Sequence, residues 1–227
     1  MTEVPMMQSD IMVLGLHLDV FLMYAAGVFY ALCAFLVLKS YRRERGELLG
    51  AFLAFLTYQA LAMIFMGIEF HTMNLLYGEI AAVAVFVGSA YMIKFPFSSF
   101  SRGTRRIVFL LTLIVSLAIF TWFLLTPERK MLLMPFVLWY DIIVNGLVVG
   151  GAIIIFGMRV GPPQRMKALG GGAGVVSCCV VANASMLSGA FITSAFFQFL
   201  APVLIIGSLV FARKRQSVPL SYGTPLP

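Results

Sequence analysis

Charged side chains are scarce in this sequence. Asp, Glu, Lys and Arg together make up 11% of the 227 residues, whereas a soluble domain carries about 25%. Hydrophobic residues make up 61% and the mean hydropathy is +1.00. A soluble fold of this size cannot bury so much apolar surface, because many of its residues stay in contact with water. The composition therefore excludes a soluble domain and predicts an all-α protein embedded in the lipid bilayer.

The sequence also lacks the motifs of common enzymes and metal proteins. Its three cysteines, Cys33, Cys178 and Cys179, form no CxxC pair and no zinc-binding spacing. A GxSxG nucleophile motif is missing. The glycine-rich run at residues 170–174 has no Lys-Ser or Lys-Thr after it, as a phosphate-binding loop requires. These absences favour a protein that is not an enzyme.

Long apolar runs predict the membrane topology. A spanning helix needs about 20 apolar residues. Seven segments approximately meet this length: Ile11–Leu38, Glu47–Ile68, Leu75–Phe95, Ile107–Leu125, Met131–Gly157, Ala168–Met186 and Phe191–Phe211. Ser188-Gly189 is a turn signal that separates the last two segments. We therefore expect an extracytoplasmic N-terminus over residues 1–10, a seven-helix bundle over residues 11–211 and a disordered, proline-containing tail over residues 212–227.

The basic residues are distributed unevenly among the predicted loops. All but two of the 16 Lys and Arg residues lie in the first, third and fifth loops or in the tail: Lys39, Arg42, Arg43, Arg45, Lys94, Arg102, Arg105, Arg106, Arg159, Arg165, Lys167, Arg213, Lys214 and Arg215. Cytoplasmic loops carry such an excess, so we expect the N-terminus outside and the C-terminus in the cytoplasm of a bacterium or archaeon. The positive charge then faces anionic lipid headgroups, and nucleic acid is not an expected partner.

Several polar side chains interrupt the apolar segments. Ionisable groups in a bilayer cost about 2.5–3.5 kcal/mol each on insertion scales, and they usually mark a functional site. The candidate ligand-binding residues are Asp19, Glu79, Asp141, Asn145, Asn183 and Gln198. All of them fall in the predicted outer half of the bundle, which indicates an outward-facing pocket for a small polar or cationic ligand above an apolar plug. Hydrogen bonding between helices is the structural alternative.

Two histidines raise the possibility of a cofactor. His17 and His71, with Glu69, could ligate a transition metal, and paired histidines are also one way to hold a haem. A histidine can likewise ligate the magnesium of a pigment. The spacing gives little support, because the sequence contains no HxxxH, ExxH or HExxH motif. The cofactor therefore stays unknown at this level, with haem, a pigment or a transition metal as the alternatives.

The predicted plan resembles that of rhodopsins and of bacterial seven-helix sensor modules. The resemblance covers the architecture alone, because Phe191–Phe211 contains no lysine to form a retinal Schiff base. Three functions follow as expectations. The first is a receptor-like or accessory subunit that acts through other membrane or cytoplasmic protein subunits. The others are a haem- or pigment-carrying subunit of a larger membrane complex, and a small-solute or cation-coupled transporter in which Asp19 and Asp141 couple transport to the ion.

The predicted orientation can be measured with reporter fusions. Alkaline phosphatase fused after Asn74 is expected to be active, because the second loop then lies outside, where the enzyme folds. The same reporter fused after Ser99 is expected to be inactive, and a fluorescent protein fused to the C-terminus should fluoresce. The reverse pattern of activities would show that the bundle has the opposite orientation.

Overall fold

Seven long helices form the molecule. The structure, a computed structural model, describes residues 10–161 and 164–216, with the backbone alone for residue 44 and for residues 211–216. Within these residues, seven helices are long and apolar enough to cross a membrane, which confirms the predicted all-α membrane bundle. They are α1 (Leu18–Glu44), α2 (Glu47–Thr72), α3 (Leu75–Met92), α4 (Arg102–Leu124), α5 (Pro127–Arg159), α6 (Gln164–Leu187) and α7 (Phe191–Gln216). The predicted termini at residues 1–9 and 217–227 lie outside the described residues.

The first helix begins later than the apolar pattern predicts. Two short antiparallel strands, β1 (Met12–Val13) and β2 (Leu16–His17), precede it. The turn between them has positive φ at Leu14 (53°) and at Gly15 (81°), which is the backbone of a tight hairpin turn. Asp19 consequently lies in the first turn of α1, because the helix begins at Leu18 and not at Ile11, where the apolar run starts.

Six of the seven helices form a closed ring in the order α1, α2, α3, α5, α6 and α7. α1 packs on α2 and α7, α2 packs on α3, and α6 packs on both α5 and α7. α3 also contacts α5, which closes the ring, and α4 packs against the outside of α3 and α5. The buried residues of α4 are Ser116 and Phe123, so most of this helix faces outward. Tyr30, Phe55 and Phe86 are among the largest side chains that are fully buried.

Two of the helices change their hydrogen-bonding pattern partway along. In α5 the segment Asp141–Gly150 is π-helical, and in α6 the segment Ser177–Ala182 is π-helical. The two segments contact each other across the α5–α6 interface. A π-helical turn widens the helix by one residue, and such turns occur frequently at functional sites. The widened turns therefore identify the α5–α6 interface as the place to look for a site.

Glycines allow α5 and α6 to approach closely, as their spacing predicts. A Cβ atom added to Gly150 would lie 2.8 Å from Val176 Cγ2, and one added to Gly172 would lie 2.6 Å from Ile154 Cγ1. These distances are too short for real side chains, so only glycine fits without a shift of the helices. The adjacent Gly151, in contrast, has no atom within 4 Å of the added Cβ.

Ion pairs join the loops at each end of the bundle. At one end, Glu47 Oε2 accepts a hydrogen bond from Arg105 Nη2 at 2.8 Å, and Lys94 Nζ lies 3.7 Å from Glu47 Oε1. At the other end, Lys130 Nζ donates to Glu79 Oε1 at 2.8 Å. The first pair brings the third loop against the start of α2, so the basic residues of the first and third loops are gathered at one end.

The glycine contacts predict an asymmetry between two neighbouring positions. Gly150→Ala is expected to destabilise the bundle by about 1–3 kcal/mol, because overpacking forces the helices apart. Gly151→Ala is expected to leave the stability unchanged or to raise it slightly, since alanine favours a helix over glycine. Thermal unfolding of both variants in the same membrane mimetic measures the difference. Equal unfolding temperatures would contradict the assigned α5–α6 packing.

Candidate functional site

A hydrogen-bonded network of polar side chains lies in the centre of the ring. Asn145 Nδ2 donates to Asp141 Oδ1 at 2.5 Å and to Ser89 Oγ at 2.6 Å. The Ser89 hydroxyl in turn donates to the carbonyl oxygen of Val85 at 2.7 Å. Asp141, Asn145 and Ser89 are 3%, 1% and 0% exposed. The network therefore joins α3 to the π-helical segment of α5, away from the molecular surface.

The network continues into α6 and α7. Asn183 Nδ2 donates to Asp141 Oδ2 at 2.7 Å, so each carboxylate oxygen receives one amide N–H. Gln198 Nε2 lies 3.4 Å from Asn183 Oδ1 and 3.3 Å from the carbonyl oxygen of Cys178, and it donates to both. Asp141, Asn145, Asn183 and Gln198, which are four of the six predicted ligand-binding residues, thus form one connected group.

A small cavity borders this network. Its volume is about 20 Å³, and its polar lining consists of Asp141, Asn183, Gln198 and Gln59. The apolar lining includes three methionines, Met63, Met66 and Met134. A cavity needs about 10–15 Å³ to hold one water molecule. In this conformation the cavity therefore has room for one water molecule or one atomic ion, and an organic ligand does not fit.

The network contains more hydrogen-bond acceptors than donors. Asn145 Oδ1 and Gln198 Oε1 are buried and have no hydrogen-bond partner in the described part of the chain. No Lys, Arg or His of the described residues forms an ion pair with Asp141. Burying an ionised carboxylate is costly unless a positive charge or hydrogen bonds compensate for it. The arrangement is therefore suited to a cation or a proton at Asp141.

The other two predicted ligand-binding residues are not hydrogen-bonded to the network. Glu79 is partly exposed and is paired with Lys130, whose ammonium group lies at the start of α5. Asp19 is 0% exposed, and both its carboxylate oxygens lack a hydrogen-bond partner among the described residues. The hydrogen bonds thus bring four of the six predicted residues together and leave Glu79 and Asp19 outside the network.

The predicted metal ligands are dispersed. Glu69 is buried with its carboxyl group against Gly78, His71 is exposed near the end of α2, and His17 is half-buried in β2. Among the described residues, no group of three His, Cys, Asp or Glu side chains is arranged to hold a metal ion. These three residues do not form such a group. Haem or pigment ligation by the two histidines stays a prediction.

Sequence reasoning missed two residues of the candidate site, Gln59, which lines the small cavity, and Ser89. Ser89 is the one polar residue in the apolar run 80–90, and this isolation was the available signal. The polar groups were predicted to lie only in the outer half of the bundle. Ser89, however, lies close to the end of α3 at Met92, so the network extends deeper than predicted.

Comparison of the chain with protein-family models, curated proteins and solved structures finds no match. Any functional assignment must therefore rest on the burial and contacts of the Asp141 network.

The contacts predict a clear cost for losing an amide donor. Asn183→Ala removes the donor to Asp141 Oδ2 and is expected to destabilise the protein by about 1–3 kcal/mol, because it leaves a buried acceptor unsatisfied. Ser185→Ala serves as the control, since the Ser185 hydroxyl donates only to the Val181 carbonyl oxygen on the exposed side of α6. Ser185→Ala is expected to change the free energy of unfolding by no more than about 0.5 kcal/mol. The unfolding temperatures of the two variants measure these changes in stability. An equal loss of stability in Asn183→Ala and Ser185→Ala would contradict a special role for Asn183.

Proposed function

We propose that the protein is a non-enzymatic, receptor-like or accessory membrane subunit that binds a small cation at Asp141. The observation that carries the proposal is a fully buried carboxylate that receives two amide N–H groups and no cationic side chain of the described chain. Intramembrane carboxylates of this kind usually mark ion or proton sites. The ligand is expected to reach Asp141 from the extracytoplasmic side.

The chemistry of the network favours one positive charge of small size. Carboxylate and amide oxygens are ligands that hard cations prefer, and Asn145 Oδ1 and Gln198 Oε1 supply unpaired oxygens. Asp141 is the one carboxylate in the hydrogen-bonded network as described, so it balances a single charge. Together with the cavity volume of about 20 Å³, this composition supports Na⁺ or a proton over a divalent or organic cation.

The position of the network explains how binding could act at a distance. Its hydrogen bonds link α3, α5, α6 and α7, and two of these helices contain facing π-helical segments. A ligand shifts a conformational equilibrium only when it binds one state better than the other. Neutralising Asp141 changes the strength of every amide contact around it. The proposed output is a change in helix packing that a partner protein detects at the basic loops.

A cation-coupled transporter is the second candidate function. The supporting observation is a second, larger cavity of about 310 Å³ that reaches Ile153 and Gly171 from the end with the basic loops. Val149 lies between Asn145 and Ile153 along α5, Val175 lies between Gly171 and Cys178 along α6, and both valines are 0% exposed. A thin apolar layer between two cavities is the arrangement that an alternating gate requires. In this reading, Asp141 couples the movement of the ion to that of a solute.

Binding of ²²Na⁺ to purified protein in lipid nanodiscs tests the first proposal. One saturable site per chain is expected, and Asp141→Asn is expected to weaken binding at least tenfold, which is about 1.4 kcal/mol. Glu79→Gln is the matched control, because it also removes one carboxylate but lies outside the network. The affinity of the Glu79→Gln protein for Na⁺ should equal that of the unmodified protein.

Three outcomes separate the alternatives. If unfolding depends on pH rather than on Na⁺, and Asp141→Asn removes that dependence, the bound charge is a proton. Uptake of ²²Na⁺ or acidification in sealed proteoliposomes would favour the transporter. An absence of both Na⁺ and pH effects, with Asp141→Asn indistinguishable from the unmodified protein, would contradict the proposed site.

A further inference from the structure

The larger cavity lies at the end of the bundle where the basic loops are gathered. Its volume of about 310 Å³ falls at the lower end of ligand pockets, which measure about 300–1,000 Å³. Its walls are mainly apolar and come from α1, α2, α5, α6 and α7, with Val37, Leu49, Phe52, Ile153, Phe156 and Leu209 as the main contributors. The apolar residues at this end, predicted to form a plug, therefore surround a cavity.

The cavity runs from the centre of the bundle to its lateral surface. At the inner limit lie Val37 and Ile153, which are 2% and 7% exposed. At the outer limit lies Phe156, which is 56% exposed and belongs to a membrane-spanning helix. An exposed aromatic side chain on such a helix contacts lipid. The cavity lining therefore includes a residue of the lipid-facing surface, Phe156.

The polar part of the cavity lining includes one positive charge, the ammonium group of Lys167. Lys167, Gln164 and Ser98 are the polar side chains that border the cavity. Lys167 is half-buried and forms no ion pair with a carboxylate of the described chain. Glu47 directly precedes the lining residue Leu48 in the sequence. Its carboxylate is already paired with Arg105 and Lys94. The cavity thus combines an apolar interior with an uncompensated ammonium group at its edge.

We propose that this cavity binds a fatty acid, with the acyl chain inside and the carboxylate at Lys167. An apolar body with an anionic end matches the distribution of apolar and basic residues. The volume of about 310 Å³ falls within the range of ligand pockets and suits a single acyl chain. This site is separate from the Asp141 network and does not depend on its function.

The structure supplies a substitution that fills the cavity with little strain. A Cβ atom added to Gly171 has Phe52 Cζ, at 3.9 Å, as its nearest heavy atom, and both residues line the cavity. Gly171→Leu should therefore occupy the space of the acyl chain. Lys167→Gln removes the positive charge alone. The matched controls are Gly207→Leu, where an added Cβ has no atom within 4 Å, and Lys39→Gln at an exposed position.

Photolabelling of the full chain in phosphatidylcholine nanodiscs tests the proposal. The probe is a 12-carbon fatty acid with a diazirine group, and the labelled peptides are identified by mass spectrometry. Labelling is expected on the cavity-lining segments of α5 and α6, and dodecanoate should compete better than the uncharged dodecanol. Gly171→Leu should reduce this labelling at least tenfold. Lys167→Gln should remove the advantage of dodecanoate over dodecanol, and both controls should behave like the unmodified chain.

Two results would overturn the proposal. The first is labelling that stays at the unmodified level in a folded Gly171→Leu protein, which would place the probe outside the cavity. The second is equal competition by dodecanoate and dodecanol in the unmodified chain, which would show that Lys167 does not recognise the carboxylate. If Gly171→Leu fails to fold, Leu209→Phe, which also narrows the cavity lining, replaces it in the same measurement.

Discussion

The Asp141 carboxylate is buried, and no cationic side chain of the described protein compensates for its charge. Two amide groups, from Asn145 and Asn183, each donate to one of its oxygens. In an apolar interior this arrangement reduces the cost of burial, but a positive charge or a proton would reduce it further. The hydrogen-bonded network, the small cavity beside it and the proposed cation site all depend on this constraint.

The rest of the fold holds these groups together. Gly150 and Gly172 let α5 and α6 approach closely, and the π-helical segments lie at the same interface. Because Asp141 and Asn145 lie on α5, Asn183 on α6 and Gln198 on α7, a relative shift of these helices would separate donors from acceptors. Stability and ligand binding are therefore expected to be coupled, and the large cavity at the other end provides a second place where occupancy can affect the same helices.

Hydropathy predicts the helices because the bilayer requires long apolar segments with internal backbone hydrogen bonds. It does not detect a turn made by apolar residues, so the strands before α1 were missed, although Gly15 was visible in the sequence. The contact between Asp141 and Asn145 is accessible from the sequence, because residues four apart lie on the same face of a helix. The contact between Asn145 and Ser89 could not be predicted, because it depends on which helices are neighbours. Glu79 was misplaced for the same reason, since its partner Lys130 is distant in sequence.

The central claim is that Asp141 binds a positive charge from outside the protein. Infrared difference spectroscopy, recorded with and without Na⁺ at several pH values, observes the carboxyl group directly. The account predicts a change in a carboxyl or carboxylate band on adding Na⁺ or on changing pH, and the loss of that change in Asp141→Asn. A difference spectrum that Asp141→Asn leaves unaltered would contradict the account, because the responding group would then lie elsewhere.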